Sequence, residues 1–273
     1  MSFFGSAGST FPPVVKNIII INVILFVATL LPIGLSDLMT DHLALYSFRS
    51  DYFAPHQIIT HMFMHANWGH IFFNMFGVFM FGRVLEQLWG GKKMLIFYTI
   101  TGVGAALIHL TVNYFQMNHM MEIANTFYNT PNYNSFNDFI SEFTHGRASS
   151  YLVNFAQEWF YKPDDPSFIP QAKEIVREIV SMNLNIPTVG ASGAVFGLLI
   201  AFGMMFPDVE LMLIFLPIPI KAKYLIPVYA LLELFFGVAD FKGDNIAHFA
   251  HLGGALFGFL LVRWWKRNQF RIN

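Results

Sequence analysis

The chain contains no cysteine. That absence removes disulfide staples, thiol catalysis and zinc–thiolate centres. Charge is also scarce: 12% of the 273 residues are Asp, Glu, Lys or Arg, against about 25% in ordinary soluble domains. The formal net charge is −1, so nothing supplies a general affinity for nucleic acid. No HExxH sequence occurs, and no Asp or Glu falls between Asp51 and Glu86. A metalloprotease helix is therefore excluded, and the histidines of that stretch lack the carboxylates that metal sites usually recruit. Met1 to Pro13 carries neither a basic n-region nor an Arg-rich amphipathic pattern, so neither a cleaved signal peptide nor a mitochondrial presequence is expected.

What fills the chain is apolar: 55% of it is hydrophobic. A bilayer crossing needs about 20 apolar residues. On that measure the sequence predicts an all-α polytopic membrane protein with six spans. They are about Val14–Leu31, His61–Val84, Met94–Val112, Val189–Phe206, Tyr224–Val238 and Asn245–Trp265. Val209–Ile220 is apolar but interrupted by Pro217 and Pro219, and reads as an interfacial or re-entrant segment. Between the third and fourth spans the texture changes to Asn, Glu, Asp and Ser. This divides the chain into a helical core at 1–112, a soluble insertion at 113–187 and the rest of the core at 188–273. Within the insertion, Pro170–Asn183 reads as an amphipathic helix with Ile175, Val176, Ile179 and Val180 on one face. Little structure is expected elsewhere in it.

Basic residues set an expected orientation. Lys16, Arg83, Lys92, Lys93, Lys221, Lys223, Arg263, Lys266, Arg267 and Arg271 fall on one side of a six-span topology, whereas the insertion is acidic. The positive-inside rule then places both termini in the cytoplasm and the insertion outside.

Polar residues inside apolar spans are costly and mark function or pairing. Gly190-Ala191-Ser192-Gly193-Ala194-Val195-Phe196-Gly197 puts a serine at the mouth of an apolar helix, beside unpaired backbone N–H groups that can hold developing negative charge. The same stretch is also a small-xxx-small packing pattern, Gly193 to Gly197, matched in the last span by Gly254 and Gly258. In the six-span topology Ser192, His251, His70 and Asn74 fall at similar depth on one side. His70 and Asn74 are i and i+4 and share a helix face. Close approach of the two glycine pairs makes a Ser192–His251 hydrogen bond feasible. Asp244 precedes His251 by seven residues, about 10 Å along a helix axis, and Asp240 is farther. The expectation is a Ser–His dyad with no carboxylate. Glu233 is read as a polar contact between helices, and His248 as an ordering residue or one without a role.

GASGAVFG, the pattern His65-ANWG-His70-IFF-Asn74 extended by Thr60-His61-Met62-Phe63-Met64, and Ala250-His251-Leu252-Gly253-Gly254 together resemble the rhomboid intramembrane serine proteases. The resemblance covers the six spans and leaves out the insertion. It implies a six-helix bundle with a cavity open to the extracytoplasmic side and cleavage of a peptide bond in or near another protein's transmembrane helix. It also implies Ser192 as nucleophile, His251 as general base, and His70, Asn74 and the Ser192 N–H as oxyanion hole. His65 and His61 match flanking histidines, and Gly190 the glycine before the serine. Where the family often carries a Trp-Arg pair before Thr60, this chain has His56-Gln57. The partners implied are transmembrane substrates and the lipid bilayer, with no nucleic acid, no cofactor and no metal. The expected location is a bacterial cytoplasmic membrane. Two other functions are weighed beside the protease: a catalytically inactive rhomboid-like protein that binds membrane clients, and a metal transporter built on the pair His61/His65. The inactive relatives lack the serine or the histidine; both are present here.

Overall fold

A computed structural model describes residues 11–144, 149–213, 216–239 and 247–269. Asp240, Asp244, Asn245 and Arg271, which figure in the sequence reading, lie outside the described residues. The fold is mostly helical. Helix α1 spans Pro13–Thr29. Its proline at the first position suits a helix start, where an N–H would be unpaired anyway. No side chain of its own caps it. The buried Glu86 does so from elsewhere in the chain, its two carboxylate oxygens accepting from the Val14 N–H at 2.9 Å and the Val15 N–H at 2.8 Å.

Helix α2 (Leu35–Leu43) and the short α3 (Gln57–Thr60) frame a loop organised by Gln57. The Gln57 amide donates to the Tyr52 carbonyl at 2.8 Å, and its oxygen accepts from the Ala54 N–H at 3.1 Å. Gln57 is 1% exposed and serves as an internal clasp of this loop.

The predicted second span begins later than its apolar run suggests. His61–Phe63 is a 3₁₀ turn, and the helix runs Trp68–Trp89 as α4 (Trp68–Gly77), a π-helical turn (Val78–Gly82) and α5 (Arg83–Trp89). The Asn67 side chain caps α4 by accepting from the His70 N–H. Asn67 halts the helix there, and leaves His61 and His65 on the connection before it.

Helix α6 (Gly91–Asn129) has 39 residues. At 1.5 Å per residue it is about 58 Å long, twice the roughly 30 Å hydrocarbon layer. It passes through position 113 without a break and projects beyond the apolar zone. Its last turns present Met117, Met120, Ala124 and Phe127, at helical spacing, to α7 (Tyr133–Phe143), α8 (Ser150–Tyr161) and α9 (Phe168–Leu184). Phe136, Phe139, Phe155, Trp159, Ala172 and Val176 complete a second core. The expectation of little structure outside Pro170–Asn183 is therefore corrected. Asn132 begins α7 with a capping box to Ser135, and the Ser149 hydroxyl caps α8.

Helix α10 spans Ser192–Met205. Over the stretch read as an interfacial or re-entrant segment, strands β1 (Glu210–Leu213) and β2 (Leu216–Lys221) form an antiparallel ribbon. Pro217 and Pro219 are two apart and fall on one edge of β2, which an edge strand can leave unpaired. At the ribbon's root Asp208 accepts from the Lys223 ammonium at 2.7 Å, and that bond and charge hold its carboxyl below the usual range. Helices α11 (Ala222–Ala239) and α12 (His248–Gln269) close the fold. Trp68–Trp89, Gly91–Asn129 and Ala222–Ala239 are long and apolar enough to cross a membrane, and Pro13–Thr29 and Ser192–Met205 are shorter apolar helices. Close backbone packing joins α10 to α12. A Cβ on Gly254 would fall 1.8 Å from the Gly193 carbonyl oxygen, and one on Gly258 would fall 2.9 Å from the Gly197 Cα.

Candidate active site

Three connections fix the loop leading to Ser192. Leu45 and Thr188 exchange backbone hydrogen bonds at 2.9 and 2.8 Å. The Thr188 hydroxyl meets His109 Nε2 at 3.0 Å. The Gly190 N–H donates to the His61 carbonyl at 2.9 Å. Gly190 has φ 123°, a region that side chains avoid. A Cβ there would also strike His70 Nε2 at 2.6 Å. Glycine is thus required twice, by the turn and by the imidazole lying over it. Ser192 then opens α10, where the first N–H groups have no partner within the helix.

The Ser192 hydroxyl donates to His251 Nε2 across 2.8 Å. The imidazole of His251 stacks on Phe196, with centroids 4.3 Å apart and planes within 8°. Phe196 follows Ser192 by four residues, so one face of α10 supplies both the hydroxyl and the platform for its partner. On the far side of the ring, His251 Nδ1–H donates to Glu233 Oε2 at 2.9 Å. The same oxygen accepts from His248 Nδ1–H at 2.7 Å. The expected absence of a carboxylate is corrected here. The acids that shortly precede His251 in sequence are Asp240 and Asp244, whereas the fold brings a glutamate from α11. The available signal was a single ionisable residue within an apolar span.

The remaining residues singled out in the sequence lie around this chain of contacts. His70 Nδ1 accepts from the Ala66 N–H at 3.4 Å, which leaves the ring proton on Nε2, beside Gly190. The Asn74 amide donates one hydrogen to the His70 carbonyl at 2.9 Å, and its second N–H stays available. His65 is buried with its ring 5.0 Å from that of His70. His61 Nδ1–H donates to the Gln57 carbonyl at 2.8 Å, so it anchors the loop from outside the serine–histidine pair.

Glu233, His248 and His251 are also the kinds of residue that hold zinc, with their ligand atoms within 4.8 Å of one another. Tetrahedral zinc with bonds of about 2.0–2.1 Å spaces its ligand atoms about 3.3 Å apart. The carboxylate–imidazole separations of 2.7 and 2.9 Å are closer than that. They are hydrogen-bond distances, with a proton and no ion between the atoms.

Fold and site together describe an integral membrane protein of helices in which a serine at a helix start is linked through histidine to glutamate. The chain belongs to the rhomboid family: the rhomboid domain profile matches residues 53–121 and 147–267. An uncharacterised mitochondrial rhomboid protein of Schizosaccharomyces pombe is 27% identical over 224 residues, covering 78% of this chain and 52% of the relative. A chloroplastic rhomboid-like protein 11 of Arabidopsis thaliana is 40% identical over 55 residues, 20% of each chain. The rhomboid protease AarA of Providencia stuartii is 34% identical over 58 residues, 21% of each. The chain thus spans about half the length of the yeast relative and about a fifth of the other two. Two of these names are organellar and one is bacterial. They give no support to a bacterial cytoplasmic membrane over an organellar one.

Proposed function

We propose that this protein is an intramembrane serine endopeptidase acting on the transmembrane helices of other proteins. The observation that carries the reading is the 2.8 Å hydrogen bond from the Ser192 hydroxyl to His251 Nε2 at the start of α10. Family membership supports it, as does the likeness to a Providencia relative named as a rhomboid protease. In the reaction, Ser192 Oγ attacks the scissile carbonyl carbon while His251 Nε2 takes the hydroxyl proton. The carbonyl oxygen becomes an oxyanion held by the Ser192 N–H, the His70 Nε2–H and the free N–H of Asn74. The C–N bond then breaks, and His251 returns the proton to the leaving amine. Water repeats the sequence on the acyl-serine, with His251 again as base, and releases the carboxylic acid. The site opens to the side bearing the insertion, which acts as a lid or docking element for substrates.

Labelling of the purified protein by a fluorophosphonate, with cleavage of a reporter transmembrane helix alongside, tests this. Labelling and cleavage are expected in the wild type and are lost in Ser192→Ala and His251→Ala. A folded wild type that neither labels nor cleaves would instead favour a client-binding, inactive protein.

A further inference from the structure

We propose that Glu233 is a positioning residue for His251, and that its place on α11 makes the readiness of Ser192 depend on α11 being docked against α12. This rests on the serine-protease reading above. A carboxylate only accepts hydrogen bonds, so the 2.9 Å contact places a proton on His251 Nδ1. A neutral imidazole has one proton. With Nδ1 occupied, the Nε2 lone pair faces the Ser192 hydroxyl at 2.8 Å, as proton removal requires. The opposite tautomer would point an N–H at the serine and leave it without a base.

The second consequence concerns charge. As Oγ attacks, His251 becomes an imidazolium beside Glu233. The ion pair then replaces a buried carboxylate facing only neutral imidazoles, which favours the state after proton transfer more than the state before it. Glu233 itself is held by the 2.7 Å bond from His248, one turn before His251 on α12. Both imidazoles thus converge on one oxygen.

The third consequence comes from where that oxygen sits. Of the eighteen residues of α11, Ala222, Ile226 and Glu233 are buried. Val228, Leu231, Leu232, Leu234 and Phe235 on either side of Glu233 are exposed. Past Ile226, the sole buried residue of this helix is the one that holds the catalytic base. Displacement of α11 therefore withdraws the carboxylate from His251 and makes the serine inert, and its return restores the chain of contacts.

The experiment measures the fluorophosphonate labelling rate from pH 5 to 9, with EDTA throughout, for wild type, Glu233→Gln, Glu233→Asp and Ser192→Ala. Among the described residues the other titratable groups around His251 and Glu233 are His248 on the same helix as His251, His70 on α4, His109 on α6 and Tyr229 on α11, and they are common to all four proteins. Glu233→Gln is expected to lower the plateau rate by up to about 10⁴-fold, the loss seen when a catalytic histidine's orienting carboxylate becomes an amide. Its acid limb is expected to move to lower pH, because an imidazolium without its anion gives up its proton more readily. Glu233→Asp, keeping the charge, is expected to recover part of the rate lost in Gln and to return the acid limb toward that of the wild type. A Gln protein with the wild-type rate and acid limb would overturn the proposal. So would a loss of labelled fraction with the limb unmoved in both variants, which is the mark of simple misfolding. ¹⁵N-histidine spectra of the wild type, with His251→Ala as the assignment difference, provide a readout that needs no Glu233 variant. They are expected to show Nδ1 protonated and Nε2 bare at neutral pH, and the reverse would overturn the proposal. Wild type that fails to label, or labels equally in Ser192→Ala, would instead remove the protease reading.

Discussion

Replacing Gly254 by alanine tests whether the serine–histidine distance is set by helix contact. In the native packing a Cβ at 254 would fall 1.8 Å from the Gly193 carbonyl oxygen and 2.6 Å from its carbon. These are backbone atoms of a helix and have no rotamer by which to move aside. To bring the contact out to even 3.0 Å, α10 and α12 must separate by about 1.2 Å at this point. The residue before Gly193 is Ser192, and His251 lies one turn before Gly254. The same separation carries the 2.8 Å Oγ–Nε2 contact to about 4 Å, beyond hydrogen-bond reach. Misplacement of a catalytic group by about 1 Å costs on the order of 10²-fold in rate, or about 2.7 kcal/mol. Gly258→Ala is the internal control. Its Cβ would lie 2.9 Å from Gly197 Cα, so a shift of only about 0.1 Å relieves it, and its loss should stay under about tenfold. The assay is the fluorophosphonate labelling rate, with thermal unfolding in the same detergent to confirm both variants are folded. Wild-type labelling by Gly254→Ala, or equal losses in the two variants, would refute the reasoning.

Other expectations follow from single contacts. Asn74→Ala should slow cleavage by about 10²–10³-fold, less than Ser192→Ala. Equal loss in a folded Asn74→Ala protein would argue against an oxyanion role. Glu86→Ala removes two charge-assisted bonds to the first turn of α1, each worth about 1.5–3 kcal/mol. A clear drop in melting temperature with near-normal initial labelling is the expected result, and an unchanged melting temperature would sink the capping account. Deleting roughly Asn118–Asn183 behind a short linker removes most of the second core and leaves the first intact. Small-probe labelling should persist while cleavage of transmembrane reporters slows or shifts. An unchanged rate and cleavage site across several reporters would dismiss the insertion as a docking element.

Much of the local structure could be read directly from residue order. Asn132 with Ser135, Ser149 and Asn67 cap helices through side-chain oxygens that reach the next N–H groups, signals that the expectation of little structure in the insertion and of a span beginning at His61 passes over. Gly190 and Ser192 stand two apart because a turn needing φ 123° must precede a serine that opens a helix. Gly193 with Gly197, and Gly254 with Gly258, mark faces for close approach because residues four apart share a helix face. The boundaries were less legible. Apolar runs continue through His61–Phe63, where the backbone has already turned, and polar residues begin at 113 although α6 continues for another turn after turn.

Tertiary structure alone decided which side chains meet across helices. Glu233 meets His251 from α11, and Glu86 reaches back about seventy residues to cap α1. Gln57 clasps its own loop through the Tyr52 carbonyl, and the Phe residues of the insertion find one another in a core of their own. The physical reason is that α10 beyond Ser192 is apolar on every side, so no periodicity says which face turns inward. Sequence determined that a serine, a histidine and small residues stand within apolar stretches of a membrane protein. The rotation of each helix about its axis, which turns Glu233 onto the imidazole, was settled by backbone contact at the glycines and by hydrogen bonds that form only once the helices are packed.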